Sequence, residues 1–314
     1  MTAAAVVDVR HRLSDPALPS QVTSLGFRGP DVPPLLAAAA TVAGRYDDLD
    51  WIAQAADRIV SHIGDFLPWD AEIKWSDAEA QPNALGTGVL PMLTLLVTAP
   101  EVAAFHAARG IPAEVSTATL ADLGQQVWVH RLTYGQFGLH THGWLTRAWC
   151  GALYWLGRLQ FELRLLEEGS GRGQEKAPEW VLSTHIPRTG PLTPSSVDDA
   201  FAEATTFFDS YFPDYLTTEF FCESWMLDPQ LPALLPDSNL AAFQRRWTVS
   251  GDRQPGDAEV LFFVFNQRGP VDPESLPRDS ALRRAMARWL AAGRHWSVVQ
   301  GRLPQQRGDL QCQG

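Results

Sequence analysis

The stretch ALYWLGRLQFELRLLE, residues 152–167, decides the fold class of this chain. Polar and apolar residues alternate from Leu159 to Leu165, which is the period of a half-buried β-strand. Trp180 to Ile186 has the composition of a second strand, and the glycine-containing segment 169–173 separates the two. We therefore predict that these two strands pair in an antiparallel manner.

The chain before residue 138 has a different character, with helices joined by loops that contain proline and glycine. Apolar residues recur at helical spacing in four segments, which predicts helices over residues 34–45, 50–63, 89–108 and 116–134. Pro100 predicts a break in the third helix, and residues 1–30 show no clear period. Residues 1–138 are therefore predicted to form a helical N-terminal domain.

The rest of the chain mixes strands with helices. Beyond the first two strands, the pattern predicts a helix over 197–208, a strand over 218–226 and a helix over 239–247. The continuous apolar run 260–265 is typical of a buried strand, and residues 279–292 have the pattern of a final helix. Residues 139–314 are therefore predicted to form an α+β domain, a mixed sheet flanked by helices.

The composition argues against several classes of protein. A formal net charge of −11 over 314 residues argues against nucleic acid as a partner. The three cysteines, Cys150, Cys222 and Cys312, are too widely spaced for a disulfide framework or a zinc pattern. The chain has no uninterrupted apolar run long enough to span a membrane and no secretory signal pattern at its start. We therefore expect a cytoplasmic protein that binds no membrane.

The segment from Ile186 to Asp199 is the strongest candidate for a binding site. A strand ends there, a loop follows, and a helix begins with Ser196 and Asp199 at the spacing of a capping box. The N–H groups and the positive dipole end of such a helix bind anions, and Arg188 adds a positive charge beside them. A cofactor with a diphosphate would fit. An ordinary strand-to-helix loop is the alternative, because Gly190 is its one glycine.

Two residues near strand ends are candidates for acid–base chemistry. His185 ends its strand and could act as a general base, since its reference pKa is near neutrality; a hydrogen-bonded core histidine is the alternative. Glu223 lies among Phe220, Phe221 and Trp225, and a carboxylate in such surroundings is expected to be paired or functional. Glu162 has a similar apolar setting.

Two further groups of residues could bind ions. If His140 and His142 lie on a strand, both imidazoles point to one side and could bind a metal, with His185 as a third ligand. No acidic residue or further histidine stands at a diagnostic spacing, so no metal is expected. Arg283, Arg284 and Arg288 share one helix and could meet a phosphate, although a solvated face is the commoner use.

Several motifs resemble those of a bacterial acyltransferase domain-containing family. They are YWLGRLQFEL at 154–163, HIP at 185–187, GPL at 190–192, FCESWML at 221–227, LPDSN at 235–239 and LP at 276–277 with Leu282. Together they extend over about residues 110–300 of the chain. Members of that family resemble a helical N-terminal domain joined to a GNAT-like C-terminal domain, and the resemblance implies this α+β architecture here.

The resemblance also implies an N-acyltransferase, which moves an acyl group from acetyl-CoA or another acyl-CoA to an amine of a small-molecule or peptide acceptor. In GNAT enzymes, loop amides and a helix N-terminus hold the diphosphate of coenzyme A. The residues that match this place are Ile186, Arg188, Thr189, Gly190, Leu192, Thr193, Ser195 and Ser196. Glu223 matches the strand that faces the acceptor, and Glu223 or His185, acting through water, would deprotonate the amine.

The loop departs from the GNAT pattern in its glycines. The usual Gln/Arg-x-x-Gly-x-Gly/Ala sequence is absent, and Pro191 and Pro194 have no N–H to donate. This departure favours an alternative function, in which a catalytically degenerate GNAT-like module binds a small ligand or a protein partner. In either case the sequence leaves room for a homodimer.

Overall fold

The computed structural model describes residues 3–66, 85–166 and 177–306. The chain divides into two units, Met1–Tyr154 and Trp155–Gly314. The boundary lies later in the chain than residue 138, because the helix His142–Trp149 buries its apolar side chains in the core of the first unit. The loop predicted at 169–173 lies outside the described residues.

The first unit is built mainly from helices. In chain order they are α1 (Ala3–Leu13), α2 (Leu18–Ser24), α3 (Val32–Ala43), α4 (Tyr46–Ser61), α5 (Val89–Ala108), α6 (Ala113–Leu120), α7 (Asp122–Tyr134) and α8 (His142–Trp149). The four predicted helices are confirmed, the last of them as the two helices α6 and α7. The prediction that residues 1–30 lack a period is wrong, because Val6, Val9 and Leu13 recur at helical spacing and are buried.

Helix α5 continues through Pro100, so the break predicted there is wrong. Proline removes the N–H that would bond to the carbonyl four residues earlier, here that of Leu96. The side-chain amide of Gln21 donates to this carbonyl at 2.9 Å and replaces the lost bond. Helix α5 is long and apolar enough to cross a membrane by length and composition, but 67% of its most apolar window is buried, as in a core helix.

A six-stranded sheet begins at the boundary and organises the second unit. Its strands are β1 (Leu153–Leu156), β2 (Leu159–Leu166), β3 (Glu179–His185), β4 (Thr217–Ser224), β5 (Thr248–Pro255) and β6 (Ser297–Pro304), in the order β1-β2-β3-β4-β6-β5. The predicted antiparallel pairing of β2 with β3 is confirmed. Strand β3 pairs in parallel with β4, and helix α9 (Pro194–Tyr211) makes the crossover between them.

The two faces of the sheet differ in chemistry. On one face, the rings of Phe161, Phe201 and Phe220 pack together with centroids 4.6 to 5.7 Å apart, and Phe201 comes from α9. The other face carries Glu162 and Ser183, which are polar and yet buried. Burial of polar groups costs free energy unless hydrogen bonds satisfy them, so this face is where a functional site is expected.

Two predictions about the second unit need correction. The apolar run 260–265 lies in helix α12 (Asp257–Phe265) and is not a strand, because a short apolar run fits a buried helix equally well. Strands β5 and β6 have no sequence prediction; β5 reads TVSGDRQP, is mostly exposed and lacks apolar alternation. The other described helices of the unit are α10 (Gln230–Leu234), α11 (Asn239–Gln244), α13 (Ala281–Ala291) and two short 3-10 helices, Trp225–Leu227 and Pro273–Ser275. The predictions of α11 and α13 are confirmed.

Candidate active site

Strands β3 and β4 separate near their C-terminal ends. Their parallel pairing ends with Ser183 opposite Phe221. Beyond this point, and within the described residues, β3 continues to pair with β2, and β4 continues to pair with β6. The facing edges of the two strands therefore present backbone N–H and C=O groups to the gap between them, where an extended ligand could satisfy them.

His185, the last residue of β3, is hydrogen-bonded to a buried carboxylate. Its Nε2 atom lies 3.0 Å from Oε2 of Glu162 on β2, whose side chain is 5% exposed. An ionised carboxylate can only accept, so Nε2 carries the proton of this bond and the lone pair of the neutral ring is on Nδ1. Glu162 thus orients the ring and stabilises the imidazolium that forms when Nδ1 takes up a proton. This pair is suited to general-base chemistry.

Glu223, the other predicted catalytic residue, lies on β4 at the level of His185. Ser183 is the partner of Phe221, and two residues further along each strand are His185 and Glu223, on the same face of the sheet. Glu223 is exposed and lies opposite Gln300 of β6. Its aromatic neighbours Phe220, Phe221 and Trp225 are buried, whereas its own side chain is not.

Cys222 points to the opposite face of β4 from Glu223. The thiol is fully buried, and burial, together with the charge of Glu223, raises its pKa. A protonated and inaccessible thiol is a poor nucleophile. Cys222 is therefore part of the core.

The loop after β3 is held by an arginine from the turn between β1 and β2. The guanidinium of Arg158 donates to the carbonyl oxygens of Pro187, Gly190 and Pro191 at 3.0, 3.1 and 3.1 Å. The preceding Gly157 has φ +56, a left-handed conformation that glycine adopts without strain. The turn thus directs the guanidinium of Arg158 at the loop. Its three hydrogen bonds to carbonyl oxygens hold the path of the loop.

The other loop residues predicted to hold a diphosphate differ in burial and in their backbone contacts. The side chain of Ile186 packs against an apolar cluster of the second unit, and Leu192 is buried. The N–H of Thr189 donates to the carbonyl of Pro187 at 2.8 Å, and Gly190 follows with φ +32. The apolar side chains of Ile186 and Leu192 therefore anchor the loop and leave their backbone groups as the means of binding a ligand.

The helix that follows begins at Pro194 with a capped backbone. Thr193 is the N-cap, and its Oγ1 accepts a hydrogen bond from the N–H of Ser196 at 3.3 Å. The prediction of a capping box made by Ser196 and Asp199 is therefore wrong, because the helix starts earlier than the pattern indicates. Ser195 is exposed in the first turn, where backbone N–H groups and the helix dipole favour an anion.

The side chain of Arg188 leaves the loop and reaches the end of helix α12. It donates to Oδ1 of Asn266, which follows α12 in the left-handed conformation. Burial and the nearby charge of Arg283 lower the pKa of Arg188. Arg283 itself donates to the carbonyl of Val264 at 3.1 Å. Two guanidinium groups therefore lie at the end of α12, and Nη1 of Arg283 is also paired with Oδ2 of Asp279 at 2.8 Å. An anion placed there would gain mainly from Arg188.

The histidines considered as metal ligands are not arranged as the sequence suggests. His142 begins helix α8 and is not on a strand, and Nδ1 of His140 lies 3.0 Å from Nδ1 of His130. No three or more His, Cys, Asp or Glu side chains among residues 3–66, 85–166 and 177–306 form a group that could hold a metal ion. The alternative of a metal site at His140, His142 and His185 therefore has no support in the described residues.

Sequence reasoning misses the role of Arg158 and the pairing of Glu162 with His185. The pairing of Glu162 with His185 follows from the register of the antiparallel strands β2 and β3. This register sets Gln160 opposite His185, so that Glu162 is a diagonal neighbour of His185 on the same face. For Arg158, the sequence shows only that it follows a glycine in a turn. Nothing in the sequence indicates which loop its side chain contacts.

Comparisons with family models agree with this architecture along most of the chain. Residues 16–151 match the model of an N-acyltransferase N-terminal domain, and residues 153–303 match that of a GNAT-like C-terminal domain. No curated protein matches the chain.

Solved structures of acyltransferases are similar over nearly the whole chain. One acyltransferase, in complex with decanoyl-CoA, is 33% identical, covers 91% of this chain and 87% of its own, and has a TM-score of 0.80. An acyltransferase mutant in complex with octanoyl-CoA has the same identity and coverage and a TM-score of 0.81. An acyltransferase in complex with decanoyl-CoA and teicoplanin is also 33% identical with the same coverage, and has a TM-score of 0.77.

The fold and the site thus define a GNAT-type acyltransferase. The chain belongs to the family of acyltransferases that join an N-acyltransferase N-terminal domain to a GNAT-like C-terminal domain. The predictions of the family, of the α+β fold and of the enzyme class are therefore confirmed.

Proposed function

We propose that the protein transfers a medium-chain acyl group from acyl-CoA to an amine of a glycopeptide. The observation that carries the proposal is the bond between His185 and Glu162 at the point where β3 and β4 separate. The similar acyltransferases hold octanoyl-CoA or decanoyl-CoA, and one of them also holds teicoplanin. These complexes support the donor and the class of acceptor, respectively.

Two parts of an acyl-CoA donor need partners that this part of the second unit is suited to provide. Its extended pantetheine arm contains amides, and the gap between β3 and β4 offers backbone groups to them. Its diphosphate needs donors and positive charge, which the loop and the start of α9 can supply. The residues we assign to the donor are Ile186, Arg188, Thr189, Gly190, Leu192, Thr193, Ser195 and Ser196.

The proposed reaction uses His185 as the base. Nδ1 of His185 takes a proton from the acceptor ammonium, directly or through a water molecule, and Glu162 stabilises the resulting imidazolium. The free amine then forms a bond to the thioester carbonyl carbon, and the carbon–sulfur bond breaks. The thiolate of coenzyme A leaves and takes up the proton that the attacking nitrogen releases, so that the products are an amide and coenzyme A. Glu223, exposed on the same face, is assigned to attraction of the acceptor ammonium.

A catalytically degenerate binding module remains the second candidate, because the loop has few glycines. That module would bind acyl-CoA or another ligand without turnover. The bond between His185 and Glu162 favours the enzyme, since a module that only binds has no use for an oriented imidazole beside a buried carboxylate.

Two measurements on the purified full-length protein test the proposal. Calorimetry with acetyl-CoA, octanoyl-CoA and decanoyl-CoA tests the donor, and we expect the longer chains to bind more tightly because they bury more apolar surface. Mass spectrometry of a glycopeptide with a free amino group, incubated with the preferred donor, tests transfer. If no acyl-CoA binds, the proposal is wrong; binding without transfer to any amine would favour the degenerate module.

The cellular location and the oligomeric state are also part of this proposal. A cytoplasmic location is supported by the donor, because acyl-CoA is a metabolite of the cell interior, and fractionation of the native host tests it. A homodimer is tested by light scattering of the purified protein across a range of concentrations.

A further inference from the structure

We infer that Arg158 is a positioning residue that gives the loop after β3 its diphosphate-binding shape, in place of the glycines that GNAT loops usually contain. The inference rests on the proposed function, because it assigns the loop to the donor. It starts from the three hydrogen bonds that Arg158 donates to the carbonyl oxygens of the loop. None of the residues assigned to catalysis is involved in them.

The directions of two loop amides follow from the carbonyls that Arg158 binds. In a planar trans peptide, the N–H points away from the C=O of the same peptide group, and the described residues contain no cis peptide. The carbonyl of Pro187 faces Arg158, so the N–H of Arg188 points to the opposite side. The carbonyl of Pro191 likewise directs the N–H of Leu192 away from Arg158. Arg158 thus turns two amide donors to the side of the loop away from its own guanidinium, where we place the diphosphate.

The third hydrogen bond of Arg158 turns a carbonyl oxygen away from the diphosphate side of the loop, and no N–H group is turned with it. The carbonyl of Gly190 also points at Arg158, and the next residue, Pro191, has no N–H. Left unheld, three carbonyl oxygens could turn toward a bound diphosphate and repel it. Glycines in a loop usually allow the backbone to turn its amides inward. Here the guanidinium achieves the same orientation by binding the carbonyls from the other side.

The turn that carries Arg158 is itself packed against the helix that the loop leads into. A Cβ atom at Gly157 would come within 3.5 Å of the side chain of Ala200 on α9, and its φ of +56 disfavours other residues. The guanidinium is partly buried, and burial lowers its pKa. Turn, loop and helix start therefore form one unit around Arg158, so its loss is expected to act on the loop first.

The test compares two donors that differ only in the part of coenzyme A that the loop is proposed to hold. Decanoyl-CoA has the diphosphate and the adenosine; decanoyl-pantetheine has the same thioester and arm without them. Dissociation constants for both are measured by calorimetry on the wild-type chain and on R158A, R158K and R245A. Arg245 is the matched control, because it donates to a single carbonyl, that of Pro236, away from the loop.

We expect R158A to weaken decanoyl-CoA binding by about tenfold or more, the loss of at least one charge-assisted bond, and decanoyl-pantetheine binding by less than about twofold. R158K keeps the charge, but an ammonium cannot span three separate carbonyls as a planar guanidinium does. R158K should therefore resemble R158A, and R245A the wild type. R158K carries the test if R158A does not fold.

Three other results would overturn the inference, and they differ from a failure of the proposed function. R158A could weaken both donors equally, which indicates a general structural role. R158A could leave both unchanged, or R158K could bind decanoyl-CoA as the wild type does, which indicates that charge alone matters. If the wild-type chain itself fails to bind decanoyl-CoA, the proposed function is wrong and the loop has no diphosphate to hold.

Discussion

The Nε2 atom of His185 lies 3.0 Å from Oε2 of Glu162, and this bond joins the end of strand β3 to its antiparallel neighbour β2. Two residues that are 23 positions apart in the chain thereby become one chemical unit. The carboxylate determines which ring nitrogen has the lone pair, and His185 lies two residues beyond the point where β3 stops pairing with β4.

We predict that Glu162→Gln lowers kcat by about a hundredfold and changes the KM for acyl-CoA little. The amide keeps the shape of the side chain but cannot balance the charge of an imidazolium, and general-base catalysis is worth roughly 10²- to 10⁴-fold. Steady-state kinetics with the preferred donor measures both constants. Glu219→Gln is the control, because Glu219 pairs with Arg302 on the same sheet away from His185. An E162Q enzyme with wild-type kcat would contradict the role of Glu162.

We predict that Arg188→Ala weakens acyl-CoA binding about tenfold, through loss of a charge-assisted bond worth about 1.5 kcal/mol. Arg188 lies in the loop, and Arg283 adds a second positive charge nearby. Calorimetry with decanoyl-CoA at low and high salt is the measurement, and the difference between variant and wild type should shrink as salt screens the charges. Arg284→Ala is the control, since Arg284 donates to the carbonyl of Arg278 on the neighbouring segment. Unchanged affinity in R188A would exclude a contact with the donor.

The first unit should lose stability as the pH falls from 6.5 to 4. Burial lowers the pKa of His106 to about 4, so that the folded chain stays neutral there while the unfolded chain takes up a proton. The contribution of His106 is full above pH 6.5, falls by up to about 1.4 kcal/mol per pH unit in this range and is lost below about 4. His130, whose pKa burial also lowers to about 4, adds a loss over the same range. Urea denaturation at pH 7, 6 and 5 measures the slope.

The variant His106→Asn separates this effect from other titrations. Its amide can keep the hydrogen bond to Ser116, which His106 makes at 2.8 Å, but it does not titrate. The slope of stability against pH should be smaller in H106N than in the wild type. The exposed His11 provides the control, and H11N should keep the wild-type slope. Equal slopes in H106N and the wild type would contradict the assignment.

We predict that Gly124→Ala destabilises the first unit by about 1 to 3 kcal/mol, the usual cost of overpacking. A Cβ atom there would lie 2.1 Å from the carbonyl carbon of Gly26 and 2.3 Å from the nitrogen of Phe27, both backbone atoms that cannot rotate away. Thermal and urea denaturation measure the change. Gly29→Ala is the control, because its Cβ would meet nothing within 4 Å. A G124A protein as stable as G29A would show that the two segments can move apart.

The spacing of apolar residues was sufficient to predict a helix or strand where the element has one apolar side. The spacing along α3, α4 and α5 predicts those helices, and the alternation along β2 predicts the strand and its partner. The same reasoning fails for residues 260–265, because a run made only of apolar residues has no periodicity that distinguishes a helix from a strand. It also fails for β5, whose exposed residues show no burial pattern although its backbone is paired to β6.

The sequence by itself determined the class of the molecule: a helical part, a mixed sheet, a loop after β3 and the histidine beside it. It could not determine which groups meet across the sheet. The tertiary structure decided that Glu162 lies against His185, that Glu223 is exposed, and that Arg158 holds the carbonyls of the loop. The reason is that periodicity reports which side of an element is buried, whereas partners depend on strand register and on where a turn directs its side chain.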